Sequence, residues 1–94
     1  MSYDVSQLHE NEINKNFDKL ESLVAKSSIC EENYLLELSK QMDQLLKDTE
    51  KRIKNYQIST DYSNSSKIKE IQNKFYKYKS KYRSINNKIK NNNN

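Results

Sequence analysis

Few side chains in this 94-residue chain are of types that do chemistry: a single histidine, His9, a single cysteine, Cys30, and the adjacent carboxylates Glu31 and Glu32. Nucleophilic catalysis needs a base within hydrogen-bond reach of the nucleophile, and a metal site needs several N, O or S ligands at set spacings. Neither pattern is present. The chain also has no glycine, so it has no glycine-rich loop to cradle a phosphate. His9 is expected to be a solvated residue near a helix start, and Cys30 a small buried or half-buried thiol. Glu31 and Glu32 suit a helix N-terminus, where the backbone dipole favours negative charge. The expected assignment is therefore no catalytic, cofactor-binding or metal-binding residue, and no enzyme activity.

The remaining chemistry is recognition. The stretch "KIKEIQNKFYKYKSKYRSINNKIK", residues 67–90, interleaves lysines with aromatic rings. Lysines contact phosphates and an outward tyrosine stacks on bases, which permits nonspecific, salt-sensitive nucleic-acid binding. Arginine, the residue that forks onto phosphates and base edges, occurs only at Arg52 and Arg83, so specific nucleic-acid readout is not expected. An anionic membrane surface is a further possible partner. A protein interface would be sought where an aromatic ring stays outward beside a long basic side chain. Tyr76 with Lys77, and Tyr62 in a loop, meet that description and are the expected interaction residues.

These residues need elements to hold them. Hydrophobic residues are 33 % of the chain and charged residues 32 %, with a mean hydropathy of −1.18, a composition close to that of chains that stay disordered. The absence of both Gly and Pro argues for helices instead, because tight turns lean on those residues and helix interiors exclude them. The expected class is all-α: an antiparallel up-down-up three-helix bundle with left-handed, coiled-coil-like packing, over residues 1–91, with a frayed polar tail at 92–94.

Ile13, Phe17, Leu20 and Val24 step by four, three and four, predicting a first helix over about 6–26. Ser28 with Glu31 has the spacing of a capping box, predicting a second helix over about 29–57. In it Leu35, Leu38, Met42, Leu45, Thr49 and Tyr56 form a stripe that Leu36, Leu46 and Ile53 widen, so that it can touch two neighbours. The segment "STDYSNSS" reads as a loop. A third helix is predicted over about 65–91, where Ile68, Ile71, Phe75, Tyr78, Tyr82, Ile85 and Ile89 alternate steps of three and four without a miss. Tyr34, Tyr56, Tyr78 and Tyr82 are expected at the core edge, where their hydroxyls find partners.

Charge is divided along the chain. Residues 1–50 carry 5 Lys and Arg against 11 Asp and Glu, net −6, and residues 51–94 carry 12 against 2, net +10. Folding back, the third helix is expected to set its lysines against acidic flanks of the first two. One cysteine allows no internal disulfide, and no apolar run approaches the roughly 20 residues that span a bilayer. The N-terminus also lacks the features of a signal peptide. A soluble, cytosolic chain is the expectation.

The segment "KFYKYKSKY", residues 74–82, resembles the third helix of the N-terminal domain of VTI-type vesicle-transport SNAREs, through Lys74, Phe75, Tyr78, Lys79 and Tyr82. Residues 38–59, "LSKQMDQLLKDTEKRIKNYQIS", look like that domain's second helix, and residues 16–27, "NFDKLESLVAKS", are similar to its first. Loop prolines common in the family are absent here. The resemblance implies an Habc-like recognition domain at the head of a Qb-type SNARE, on the cytosolic face of Golgi, endosomal or vacuolar membranes. It further implies a longer protein whose C-terminal helix meets other SNAREs, and a partner in the ENTH domain of an epsin-related clathrin adaptor. No individual interface residue is carried over. The residues themselves leave two alternatives, a nonspecific nucleic-acid binder and a coiled coil whose third-helix seam pairs with a second copy.

Overall fold

In the computed structural model, which describes residues 5–61 and 63–92, the chain forms three helices: α1 (Val5–Ser27), α2 (Glu32–Ser59) and α3 (Ser65–Asn92). Their cross-contacts fix the directions. Glu10 meets Lys67, and Phe17 and Glu21 meet Tyr78, so α1 and α3 run the same way. Asn16 meets Thr49, Ser39 meets Asn86 and Asp43 meets Tyr82, so α2 runs opposite to both. The result is an up-down-up bundle whose three helices all pack on one another, with extents of 55 × 21 × 16 Å.

The axis of the bundle is one apolar cluster. Ile13, Phe17, Leu20 and Leu23 come from α1, Leu35, Leu38, Met42, Leu46, Ile53 and Tyr56 from α2, and Ile68, Ile71, Phe75, Tyr78 and Ile85 from α3. The three-and-four alternation of α3 is thus the inner seam, with Tyr82 and Ile89 half-buried at its edge. That seam is covered within the chain by α1 and α2. Where two apolar residues adjoin, the structure chooses differently from the stripes drawn on the sequence. Leu23 is buried and Val24 only half-buried; Leu46 is buried and Leu45 half-buried; Leu36 is 52 % exposed.

Helix α2 begins later than the capping-box spacing predicts. The Ser28 hydroxyl donates to the Ala25 carbonyl at 2.8 Å, so Ser28 closes α1 and does not open α2. The Ile29 and Cys30 amides then bond to the Lys26 carbonyl, and extended Glu31 is the N-cap, without a side-chain cap bond. At the other end Thr60 is the C-cap and Asp61 follows at φ 54°, with its amide on the Ile58 carbonyl. A left-handed residue after a helix is usually glycine, and in this glycine-free chain the short polar Asp61 takes the position. Helix α3 runs through Asn92, one residue into the stretch expected as a frayed tail, and residues 93–94 lie outside the described residues.

The four core-edge tyrosines divide. Tyr78 is buried and its hydroxyl donates to Glu21 Oε2 at 2.8 Å; Tyr82 is half-buried and donates to Asp43 Oδ1 at 3.4 Å. Tyr56 goes further in than expected, 2 % exposed, with its hydroxyl 3.4 Å from Asn64 Nδ2. Tyr34 is 60 % exposed, because it lies on the outer side of α2's first turn.

Burial pushes the Tyr78 phenol up to about 12, and the Glu21 carboxylate that accepts its proton adds to the shift. A folded-state value above the unfolded 10.0 means the hydroxyl stabilises fully below pH 10.0, and that this stability is lost as pH rises toward about 12. The melting temperature of the wild type is therefore expected to fall more steeply between those pH values than that of Tyr78→Phe. Parallel pH profiles for the two proteins would contradict the contact.

Candidate functional site

Of the expected interaction residues, Tyr76 and Lys77 lie on the outer side of α3. This helix holds 8 Lys and 1 Arg against 1 Glu, net +8. The expected pairing with acidic flanks is realised only once. Among the described residues Lys67 is the one α3 cation within 4.0 Å of a carboxylate, its Nζ 3.0 Å from Glu10 Oε1; the other ion pairs lie inside α1 or α2. The Glu10 hydrogen bond and charge hold the Lys67 ammonium above its ordinary range. Of the acidic residues that face α3, Glu21 and Asp43 accept from the hydroxyls of Tyr78 and Tyr82, and Asp43 also pairs with Lys47 of its own helix at 3.0 Å.

Tyr76 lies where the sequence places it, outward and 62 % exposed, its ring edge-on to Phe75 with 5.8 Å between centroids. Lys77 is exposed too, but one residue turns it about 100° around the helix. Its ammonium lies 5.4 Å from the centre of the Tyr78 ring, on the side toward α1. Tyr76 and Lys77 thus share the outer half of α3 without forming one contact patch. The cations beside Tyr76 are Lys79 and, across the groove between α2 and α3, Lys54; with Ile53 and Phe75 they line a concavity of about 160 Å³. Tyr62 lies outside the described residues.

The spacing of the remaining cations is regular. Lys67, Lys74, Lys81 and Lys88 recur every seven residues along the α1 side, and Lys69, Tyr76, Arg83 and Lys90 do so along the α2 side. Between the two rows, Asn73, Lys77, Ser80, Ser84 and Asn87 make a second three-and-four stripe, all exposed. The seven-residue recurrence of Lys74, Lys81 and Lys88 beside the seam is legible in the sequence, and the polar stripe is the set of positions that the seam and the two rows leave over.

Compared with family models, with curated proteins and with solved structures, the chain matches none.

The other reactive side chains stand apart from this face. His9 is half-buried on α1, and the half-buried Cys30 thiol lies 4.0 Å from the Ser27 carbonyl in the α1–α2 turn. Glu31 and Glu32 are exposed at the start of α2. Beside them, Ile29, Tyr34 and Leu38 line a shallow concavity of about 330 Å³. Among the described residues no three of His, Cys, Asp and Glu are grouped so as to hold a metal ion, and no helix is long and apolar enough to cross a membrane.

Proposed function

We propose that this chain is a recognition module and not a catalyst: the Habc-like N-terminal head of a SNARE in intracellular vesicle transport, which offers α3 to a trafficking adaptor. The observation that carries the recognition reading is Tyr76, a large ring 62 % exposed at the middle of a helix whose opposite face is locked into a core. Interface hot spots favour Tyr and Arg, held on rigid supports so that little side-chain entropy is lost on binding. The SNARE assignment rests on the resemblance of the three helical segments, and the order α1, α2, α3 and their lengths of 23, 28 and 28 residues agree with it. In this reading the module is a monomer at the cytosolic face of Golgi, endosomal or vacuolar membranes. Its partner is the ENTH domain of an epsin-related adaptor, and other SNAREs engage a separate C-terminal region of the longer protein.

Calorimetric titration with such an ENTH domain tests this. The wild type is expected to bind, and Tyr76→Ala to bind about tenfold more weakly or worse, the loss of one hot-spot side chain, with unchanged circular dichroism. Equal affinities would remove Tyr76 from the interface. No binding by the wild type would remove the adaptor assignment, and a light-scattering mass that rises above 11.3 kDa with concentration would remove the monomer.

A further inference from the structure

We infer that the outer face of α3 docks an acidic helix of a partner protein, laid along the polar stripe between the two cationic rows. This rests on the recognition reading above and adds the partner's chemistry. Three observations support it. First, the charge is uncompensated: α3 has a net charge of +8, and only Lys67 among its cations meets a carboxylate among the described residues. A face that concentrates one sign of charge attracts the other and speeds encounter with it.

Second, the spacing is that of a helix. Cations that recur every seven residues stand about 10.5 Å apart along the α1-side row, as do Arg83 and Lys90 along the α2-side row, where Tyr76 takes one place; this is the distance at which heptad-spaced carboxylates of a second helix would face them. Phosphates follow one another every 3.4 Å or so along a strand of duplex, so each row would leave most of a nucleic-acid backbone unmet. Third, the stripe between the rows is short. Beyond Lys77, which adds one more cation to the stripe, the exposed Ser80, Ser84 and Asn87 let a second helix approach closely while the long cations reach around its sides. An apolar seam is missing, so the association is electrostatic, reversible and sensitive to salt.

The probe is a 28-residue helical peptide of Ala, Gln and Glu with two rows of glutamates at seven-residue spacing. Its isomer has the same composition and the glutamates shuffled off that spacing. The wild type is expected to bind the first at least about tenfold more tightly than the second, and to lose about tenfold in affinity between 50 and 200 mM salt. Lys81→Glu/Arg83→Glu/Lys88→Glu should abolish this binding. Lys19→Glu/Lys40→Glu/Lys51→Glu, which makes the same charge change on α1 and α2, should leave it within about twofold. Equal binding of the two peptides, or equal losses in the two triple variants, would reduce the effect to net charge and overturn the inference. So would tighter binding to an oligothymidylate, which points to nucleic acid, or to phosphatidylserine vesicles, which points to a membrane surface. If the ENTH domain binds and responds to Tyr76→Ala while neither peptide binds, this inference fails and the recognition reading stands. Binding of the heptad peptide with no response to the ENTH domain would do the reverse.

Discussion

Phe75→Ala is expected to lower the melting temperature by more than about 12 °C, since removing a buried phenylalanine costs about 3–5 kcal/mol and each kcal/mol moves a domain of this size by about 4–8 °C. Phe75 is buried in the common cluster, where Ile53 of α2 adjoins it, and the Lys79 ammonium lies 5.8 Å over its ring. Its neighbour Tyr76 is turned about 100° around the helix and is 62 % exposed. Tyr76→Ala should therefore lower the melting temperature far less, because most of its ring is already in water. The contrast between adjacent residues is a test of helix register, as a rotation by one residue would exchange their effects. A domain holding only about 5–15 kcal/mol in total leaves Phe75→Ala near the edge of folding. Denaturant unfolding of the same pair gives the difference if the heated variant aggregates. The same logic ranks Leu46→Ala above Leu45→Ala, since Leu46 is buried and Leu45 only half-buried. Equal effects at 45 and 46 would contradict the packing of α2.

How far the fold is legible in the sequence depends on the helix. On α3 the seam residues adjoin another ring only at Phe75–Tyr76, and the unbroken alternation of three and four assigns Phe75 to the seam, so it admits one register, and the structure has it. On α1 and α2 apolar residues adjoin at Leu23–Val24, Leu35–Leu36 and Leu45–Leu46, and periodicity alone cannot choose within such a pair. The choice is made by the neighbours. Helix α2 touches both α1 and α3, so its buried arc is set by two contacts that lie far away in sequence. The missed start of α2 has a local cause: Ser28 follows the last carbonyls of α1, and its hydroxyl donates to the one at Ala25 instead of accepting from the free amides that begin α2. The outward placement of Tyr76 was legible because it falls off a perfect seam. The solitude of the α3 cations was not, since charge counts give the totals on each helix but not which side chains each carboxylate meets.

The polar residues inside the bundle lead to the last expected result: Thr49→Val should destabilise by about 1–3 kcal/mol, although it exchanges side chains of the same shape. Thr49 is fully buried, and its hydroxyl donates to the Leu45 carbonyl at 2.6 Å while accepting from Asn16 Nδ2 at 3.1 Å. The same nitrogen donates to Asp48 Oδ2 at 2.8 Å. With valine at 49, one N–H of the buried Asn16 faces a methyl group and loses its protein acceptor. Asn16→Leu in the Thr49→Val background removes that orphaned donor, so the double variant should recover most of the loss. Urea midpoints of the four proteins measure the coupling, and strictly additive effects would show that the two residues do not share the contact. Acid pH gives an independent reading. The Asn16 hydrogen bond, followed by Arg52, holds the Asp48 carboxyl below its ordinary 3.8. A lowered carboxyl stabilises above that value and stops doing so as pH falls through the folded-state pKa. Asn16→Leu lets the carboxyl drift back up, so its stability should depend less on acid than that of the wild type. What the pair supplies in return for a buried polar layer is alignment: it fixes one height of α1 against α2, where the apolar contacts alone would tolerate sliding.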